Sequence, residues 1–386
     1  MPVSRKRKST KSKPPKHAPR SRAIEGRHPL DDQRVVRVTP AVKTLVAQLV
    51  DEIATLPDAP ALEDRLCALI GPVIHAFEEE PLEAYAGPQH VMEALIKAAA
   101  SVDGDTGRRI FAAVAAIAPA RFHGQIKKAR RQNPVPSAQP AGDVRWVRDR
   151  YGSRFGILAP FTVPGGDLRW YLWDVDACGL SISTVHSGFH AGPDEALAAW
   201  HAGVGPFAAA DAPWSPIDDA EILDEVLPRD RGAIRMGGES AAQFTEFHRG
   251  LRLAETVRDL RGPVRRTWPE LGPETAADEF AAWLRARRPD ALPDDLDELA
   301  TDFAESWQTD ATRLYGTFSA HRVARNVLLL RDYFQEPGAS ELVALIPDWV
   351  TWLGERAGAD ADLVEHSLAY RPPAGDALSH QARVIE

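Results

Sequence analysis

The chain has 386 residues, of which 44% are hydrophobic and 26% are charged, and its net charge is −9. This length allows two or three domains with sizeable cores, and the composition is ordinary for a globular protein. No apolar run approaches the length of a membrane span, and no apolar segment follows the basic start, which argues against a membrane protein and a secretory signal. With only Cys67 and Cys178, a disulfide framework and a four-thiolate zinc site are excluded, and a reducing, cytoplasmic compartment is expected.

The start of the chain is strongly positive, whereas the rest of the chain is negative. Residues 1–22 hold nine Lys or Arg and no acid, so the rest of the chain carries −18. Because this segment cannot bury enough apolar surface to fold alone, we expect residues 1–38 to be a disordered tail and lead-in. A flexible cation can neutralise phosphates, so the tail predicts contact with RNA, DNA or the ribosome that weakens as salt rises. A solubilising extension, or one that contacts the acidic body, explains the composition equally well.

A helical bundle is predicted over residues 39–132. Apolar residues recur at helical spacing from Val42 to Ile53, with Thr39 as the N-cap and Pro40 as the first helical residue. The same spacing continues from Leu62 to Phe77. Two more helices are predicted around Gln89–Ser101 and Thr106–Ala118, which completes a bundle of four elements.

A second basic segment, Arg121 to Arg131, ends this bundle with five positive charges and no acid. Phe122 and His123 lie among the charges and could stack on bases. A solvated helix end would show the same charges, because cations favour the carboxyl end of the helix dipole. The candidate nucleic-acid contacts are Arg5, Lys6, Arg7, Lys8, Lys11, Lys13, Lys16, Arg20, Arg22, Lys127, Lys128, Arg130 and Arg131.

The strand signature of the chain lies in residues 143–207, after a Pro-rich linker at 133–142. From Arg145 to Val163 most residues are β-branched, aromatic or apolar, with Gly and Pro between them. This composition is rare elsewhere in the chain, so we expect the sheet here.

A tight turn at Pro164-Gly165-Gly166-Asp167 predicts a hairpin. In the second strand, Leu168–Val175, neither face is purely polar, so both faces should be at least partly covered. Leu180–Val185 predicts a third short strand, and Pro193 is a suitable first residue for the helix that follows. A hairpin, a third strand and a helix make a small α+β unit.

Three short segments occur in the order of a known unit: the turn before Leu168, Asp176-Ala177-Cys178-Gly179 closing the second strand, and Asp194-Glu195-Ala196-Leu197 opening the helix. In these segments residues 155–205 resemble the ββ-β-α unit of HicB-like antitoxin domains. HicB-like antitoxins usually carry a DNA-binding segment and neutralise a small RNase toxin. Because no counterpart of that DNA-binding segment is identified here, the resemblance implies a local fold and no activity.

The sequence lacks the familiar dinucleotide, P-loop, HExxH and nucleophile-elbow motifs, so no cofactor is predicted and an enzyme of a familiar type is disfavoured. Asp174, Asp176 and Cys178 would share one strand face, and His186 and His190 could reach back from the following loop. Carboxylate, imidazole and thiolate can bind zinc or another transition metal. Turn-capping Asp residues and a Cys178 buried as a small apolar residue explain the same pattern without a metal.

The C-terminal half predicts a loop-rich connection at 208–239, a helical domain at 240–370 and a loose tail at 371–386. The predicted helices are Ala241 to about Arg261 with Ser240 as cap, Glu274–Arg288, Pro293–Trp307, His321–Phe334, and Leu342–Leu353 broken or restarted at Pro347.

The predicted fold class is mainly α, with an N-terminal helical bundle, a small central α+β unit and a C-terminal helical region. The leading functional hypothesis is a non-catalytic cytoplasmic binding or regulatory protein that contacts nucleic acid or a nucleoprotein through its basic segments. The second is a protein-interaction module that uses the acidic C-terminal helices or an edge of the central sheet. The third is a metal-dependent enzyme centred on residues 174–190.

Overall fold

The computed structural model describes residues 29–78, 86–130, 138–179, 182–184, 186–229, 241–265, 267 and 269–369. Residues 1–28, with the whole basic tail, and residues 370–386 lie outside the described residues, so the predictions for these two ends stay predictions. The predicted fold class is confirmed: a helical bundle, a central antiparallel sheet and a helical C-terminal region follow one another.

The N-terminal bundle has its own apolar core. Its core residues include Val42, Leu49, Leu66, Val91 and Ile110, all fully or almost fully buried. This confirms the helical spacing predicted from the sequence. The helices are α1 (Pro29–Glu52), α2 (Ala59–Glu78), α3 (Pro88–Ala100), α4 (Gly104–Ile117) and α5 (His123–Arg130), with short 3₁₀ turns at Ile53–Thr55 and Ala120–Phe122.

Helix α1 begins earlier than predicted, because it runs through Thr39 and Pro40. The predicted start at Thr39–Pro40, and with it a disordered lead-in as far as residue 38, is therefore wrong. Val35 and Val38 are 3% and 0% exposed and extend the apolar stripe of α1, which packs against α3. Burial of these side chains stabilises the helix by more than the hydrogen bond missing at Pro40 destabilises it.

The central sheet is antiparallel in every pairing and is larger than the three strands predicted. Its order is β5-β4-β3-β2-β7, with β1 also on β3 and β6 also on β4. The strands are β1 (Gln139–Pro140), β2 (Arg145–Arg148), β3 (Arg154–Thr162), β4 (Leu168–Asp176), β5 (Ser183–Thr184), β6 (Gly188–His190) and β7 (Ser215–Pro216).

The hairpin predicted at residues 164–167 joins β3 to β4, which pair along their whole length. Two other expectations need correction. The predicted first strand is two strands, β2 and β3, which pair with each other. The end of the predicted linker forms β1, which pairs with β3. Of the third predicted strand, Leu180, Ser181 and Val185 lie outside the described residues, and Ser183 and Thr184 form β5.

Both faces of β4 are covered, as its mixed alternation predicted. Trp173 is fully buried in one apolar cluster and Leu172 in another, on the opposite face. Helix α6 (Pro193–Val204) covers the Leu172 face through Trp200 and begins at Pro193, as predicted. Gly156 permits this packing, because a Cβ there would lie 2.8 Å from Cδ1 of Trp200.

The C-terminal region has a separate core, dominated by aromatic rings. Phe280, Phe303, Trp307, Trp349 and Trp352 are buried, and the ring centroids of Trp349 and Trp352 lie 4.9 Å apart. The helices after α6 are α7 (Pro206–Ala209), α8 (Ala220–Val226), α9 (Ala241–Thr245), α10 (Phe247–Arg261), α11 (Pro273–Arg287), α12 (Leu296–Ser306), α13 (Ala320–Tyr333), α14 (Gly338–Ala357) and α15 (Ala361–Ala369), with a 3₁₀ turn at Thr312–Leu314. None of the described helices has both the length and the apolarity of a membrane span.

Two predictions about the continuity of helices in this region are wrong. Helix α14 continues through Pro347, since Ile346 and Trp349 are buried on either side of it. The helix predicted to run unbroken from Ala241 is interrupted at Glu246, whose carboxylate is held by Arg249 and by the hydroxyl of Tyr171.

A group of charged residues, here called the junction cluster, joins the bundle to β4 and α10. It consists of Glu63, Asp64, Arg169, Glu246 and Arg249. Arg249 is 4% exposed, and it donates to Asp64 at 2.5 Å and to Glu246 at 2.7 Å. Arg169 also donates to Asp64, at 3.2 Å. Burial raises the pKa of Glu63 to about 7, although the nearby Arg249 guanidinium opposes this shift.

Candidate metal centre at the end of the central sheet

Strand β4 ends at Asp176, and the chain turns immediately after it. The backbone N–H of Cys178 donates to Oδ1 of Asp176 at 2.8 Å. This local bond is typical of an Asp that begins a turn, and it fixes the carboxylate beside the thiol. Asp176 and Cys178 are 6% and 5% exposed. A carboxylate and a thiol are therefore held together at one buried end of the sheet.

A histidine from the C-terminal region completes the group. Ser319 caps α13, and its hydroxyl accepts the backbone N–H of Arg322 at 3.1 Å. The cap fixes the first turn of α13, which carries His321. Nδ1 of His321 lies 2.9 Å from Oδ2 of Asp176, and 28% of the imidazole side chain is exposed.

Asp176, Cys178 and His321, here called the metal site, each place one potential ligand atom within 4.8 Å of the other two. A tetrahedral Zn²⁺ ion with ordinary bond lengths separates its nitrogen and oxygen ligands by about 3.3 Å and its sulfur from either by about 3.6 Å. Nδ1 of His321 and Oδ2 of Asp176 are 2.9 Å apart, and all three ligand atoms lie within 4.8 Å of one another. Among the described residues, no other group of three or more His, Cys, Asp or Glu converges in this way.

The Cys178 thiol lies between two serines. It donates to Oγ of Ser153 at 3.2 Å and accepts from Oγ of Ser319 at 3.3 Å. Burial raises the pKa of Cys178 well above that of an ordinary thiol. A Cys–His–Asp set also occurs in nucleophilic catalysis, but such cysteines need a depressed pKa and access to substrate. The buried thiol disfavours that chemistry, whereas a bound cation would itself deprotonate the sulfur.

The pKa values of two buried carboxylates near the site are shifted in opposite directions. Burial alone would raise the pKa of Asp176, but His321, with Arg325 and Arg154, holds it well below its usual range. Asp176 is therefore ionised at neutral pH and available as a ligand. For Asp149, burial raises the pKa to about 6, although backbone N–H groups of Arg154 and Ser153 partly offset it.

The structure brings together only part of the metal-ligating set predicted from the sequence. Asp174 is fully buried and receives two hydrogen bonds from Arg154, at 3.0 and 2.9 Å, so its carboxylate is already paired. His190 lies opposite Trp170 on β4, six residues or about 20 Å along the strand from Asp176. His186 is exposed in the loop before β6. Asp176 and Cys178 instead meet His321.

The structure describes only part of the two basic segments. Arg5, Lys6, Arg7, Lys8, Lys11, Lys13, Lys16, Arg20, Arg22 and Arg131 lie outside the described residues. Lys127 and Lys128 are exposed on α5, where they could reach phosphates. Phe122 is only 2% exposed and belongs to the bundle core, so it cannot stack on a base. His123 is partly buried, which lowers its pKa, with a further contribution from Arg252.

Comparisons with protein-family models, with curated proteins and with solved structures found no match to the chain. The resemblance of residues 155–205 to HicB-like domains therefore stays a prediction. A sequence signal could not have found His321, because the cap of its helix lies 141 residues after Cys178. Only the packing of α13 against the end of β4 joins them.

Proposed function

We propose that this protein binds a divalent transition-metal ion, Zn²⁺ in the first instance, through Asp176, Cys178 and His321. The observation that carries the proposal is the convergence of three different donor atoms within 4.8 Å at the end of β4. Thiolate and imidazole select Zn²⁺ and related ions over Mg²⁺ and Ca²⁺, which prefer oxygen ligands. The ion would join the central sheet to α13.

A set of three protein ligands leaves a fourth tetrahedral position. Structural zinc sites usually close all four positions with protein side chains, whereas sites that act on a ligand keep one open. His321 is the most exposed of the three, so the fourth position would open on its side. A reducing compartment such as the cytoplasm, expected from two buried free thiols, would keep Cys178 available as a ligand.

The test is metal titration of the full chain after chelation, under reducing conditions. We expect one Co²⁺ per chain and a near-ultraviolet thiolate-to-cobalt absorption band, because Cys178 would be a direct ligand. Cys178→Ser should abolish the band, and Asp176→Asn and His321→Gln should each weaken binding at least about 100-fold, since losing a ligand costs more than losing its hydrogen-bonding partner.

Cys67→Ala is the matched control. Cys67 is also a buried free thiol, but it belongs to the apolar core of the N-terminal bundle and not to the end of the central sheet. This variant should keep both the stoichiometry and the absorption band. Sub-stoichiometric binding to the unaltered chain, or equal loss in the Cys67 and Cys178 variants, would show that the proposal is wrong.

A second candidate function rests on a different observation. The first 22 residues hold nine positive charges and no acid, while the rest of the chain carries −18. This asymmetry supports nucleic-acid contact through the tail, with Lys127 and Lys128 as exposed additional cations. We expect the full chain to bind RNA or duplex DNA with an affinity that falls as salt rises.

Deletion of residues 1–22 tests this candidate. The slope of log affinity against log salt should become shallower in the truncated chain, roughly in proportion to the number of phosphates that the tail neutralises. Replacing Lys127 and Lys128 with Gln should change the slope by at most about two. If the full chain fails to bind either nucleic acid at low salt, the tail has another role.

A further inference from the structure

Beside the metal site lies the cationic side chain of Arg325, whose charge already acts on the Asp176 carboxylate. Arg325 follows His321 by one helical turn, so both side chains lie on the same face of α13. The guanidinium lies against Gly179, the residue after Cys178: a Cβ at Gly179 would be 2.4 Å from its Cζ and Nη1 atoms. Among the described residues, Arg325 forms no hydrogen bond or ion pair, and its side chain is partly exposed.

Other charged groups near the site already have partners among the described residues. Arg154 is paired with Asp174. The guanidinium of Arg322 donates to the backbone carbonyls of Leu314 and Trp307. A divalent ion with one carboxylate and one thiolate ligand is neutral overall. Arg325 is therefore the cation available to attract an anion to the occupied site.

From this arrangement, and resting on the proposed metal function, we propose that the fourth metal position takes a small oxyanion, a carboxylate or a phosphate, which Arg325 also binds. One oxygen would bind the ion and a second would accept hydrogen bonds from the guanidinium. The planar fork of an Arg side chain suits such two-oxygen recognition better than a single-point cation does. Gly179 permits this arrangement, since its missing side chain lets the guanidinium lie against the residue that follows Cys178.

The test uses the full chain loaded with Co²⁺, whose visible absorption reports the ligands of the ion. Acetate and inorganic phosphate are titrated separately at constant ionic strength. Chloride serves as the control anion, because it has no oxygen atoms and cannot bridge the ion and the guanidinium. We expect a saturable spectral change with at least one oxyanion and none with chloride over the same range. The two oxyanion titrations distinguish a carboxylate from a phosphate ligand.

Arg325→Gln should weaken the oxyanion affinity about 10- to 100-fold, as expected for removal of a charge-assisted hydrogen bond, and leave the Co²⁺ affinity within about threefold. Gly179→Ala keeps the charge but displaces the guanidinium, so it should weaken oxyanion binding in the same direction. Arg331→Gln, at an exposed position on the same helix, is the matched control and should behave like the unaltered chain.

The outcomes separate the two proposals. Co²⁺ binding without a saturable oxyanion response, or an Arg325→Gln variant with unchanged oxyanion affinity, would overturn the oxyanion inference and leave the metal proposal standing. Failure of the unaltered chain to bind Co²⁺ would overturn both.

Discussion

Each end of β4 contributes to a partly buried polar cluster, and the two clusters differ in how their charges are matched. At the start of the strand, in the junction cluster, Arg249 lies between Asp64 and Glu246 and bonds to both. At the other end, in the metal site, three donors of different chemistry converge and a hydrogen bond joins Asp176 to His321. A set of matched ion pairs holds elements of the fold together, whereas converging electron-pair donors are suited to binding a cation.

The largest effect is expected from removing Arg249. Arg249→Leu would leave the Asp64 and Glu246 carboxylates without their shared buried cation, so the free energy of unfolding should fall by about 3–5 kcal/mol. Urea denaturation measures this change. Arg252→Leu is the control on the same helix: its ion pair with Glu255 is longer, at 3.9 Å, and should contribute less than about 1 kcal/mol. Equal losses in the two variants would mean that the junction cluster contributes no more to the free energy of unfolding than the Arg252–Glu255 pair does.

Glu63 should make the stability of the junction cluster depend on pH. Because its folded pKa is raised to about 7 from 4.5, the folded chain holds a proton that the unfolded chain has lost between these values. By linkage, the stability contributed by this group falls as pH rises from about 4.5 to 7, by on the order of 3 kcal/mol. Glu63→Gln should remove this loss. Urea unfolding of both chains at several pH values checks it, and parallel pH profiles would contradict it.

The smallest stability effect should come from the metal. Zn²⁺ at a concentration 100 times its dissociation constant should raise the free energy of unfolding by about 2.7 kcal/mol, since the separated ligands of the unfolded chain cannot form the site. The increase should persist in Glu63→Gln and vanish in Cys178→Ser. An increase that survives in Cys178→Ser would place the ion elsewhere and remove the distinction between the two clusters.

Much of this fold could be predicted from local patterns. The apolar spacing of Val42, Leu45 and Leu49 predicts a core-facing helix, and the Gly165-Gly166 turn predicts the β3–β4 hairpin. The predictions that failed depended on burial. Pro40 and Pro347 ordinarily end helices, yet each continues one here because flanking apolar residues are buried.

Only part of the candidate site could be predicted from the sequence. Asp176 and Cys178 stand out in the sequence because they are two residues apart at the end of a strand. His321 and Arg325 belong to a helix far along the chain, and no periodicity relates them to β4. Phe122 is an example of a local pattern that misleads. A ring among positive charges suggests base stacking, but this ring is buried in the core of the N-terminal bundle.

The aromatic core of the C-terminal region gives this protein a built-in optical reporter. Trp307, Trp349 and Trp352 are held in a fixed mutual arrangement, with the Trp349 centroid 6.2 and 4.9 Å from the other two. Indole transitions this close couple to one another, so the near-ultraviolet circular dichroism of the folded chain should carry a strong signal from this region. Loss of that signal would follow the opening of the C-terminal core without any introduced label.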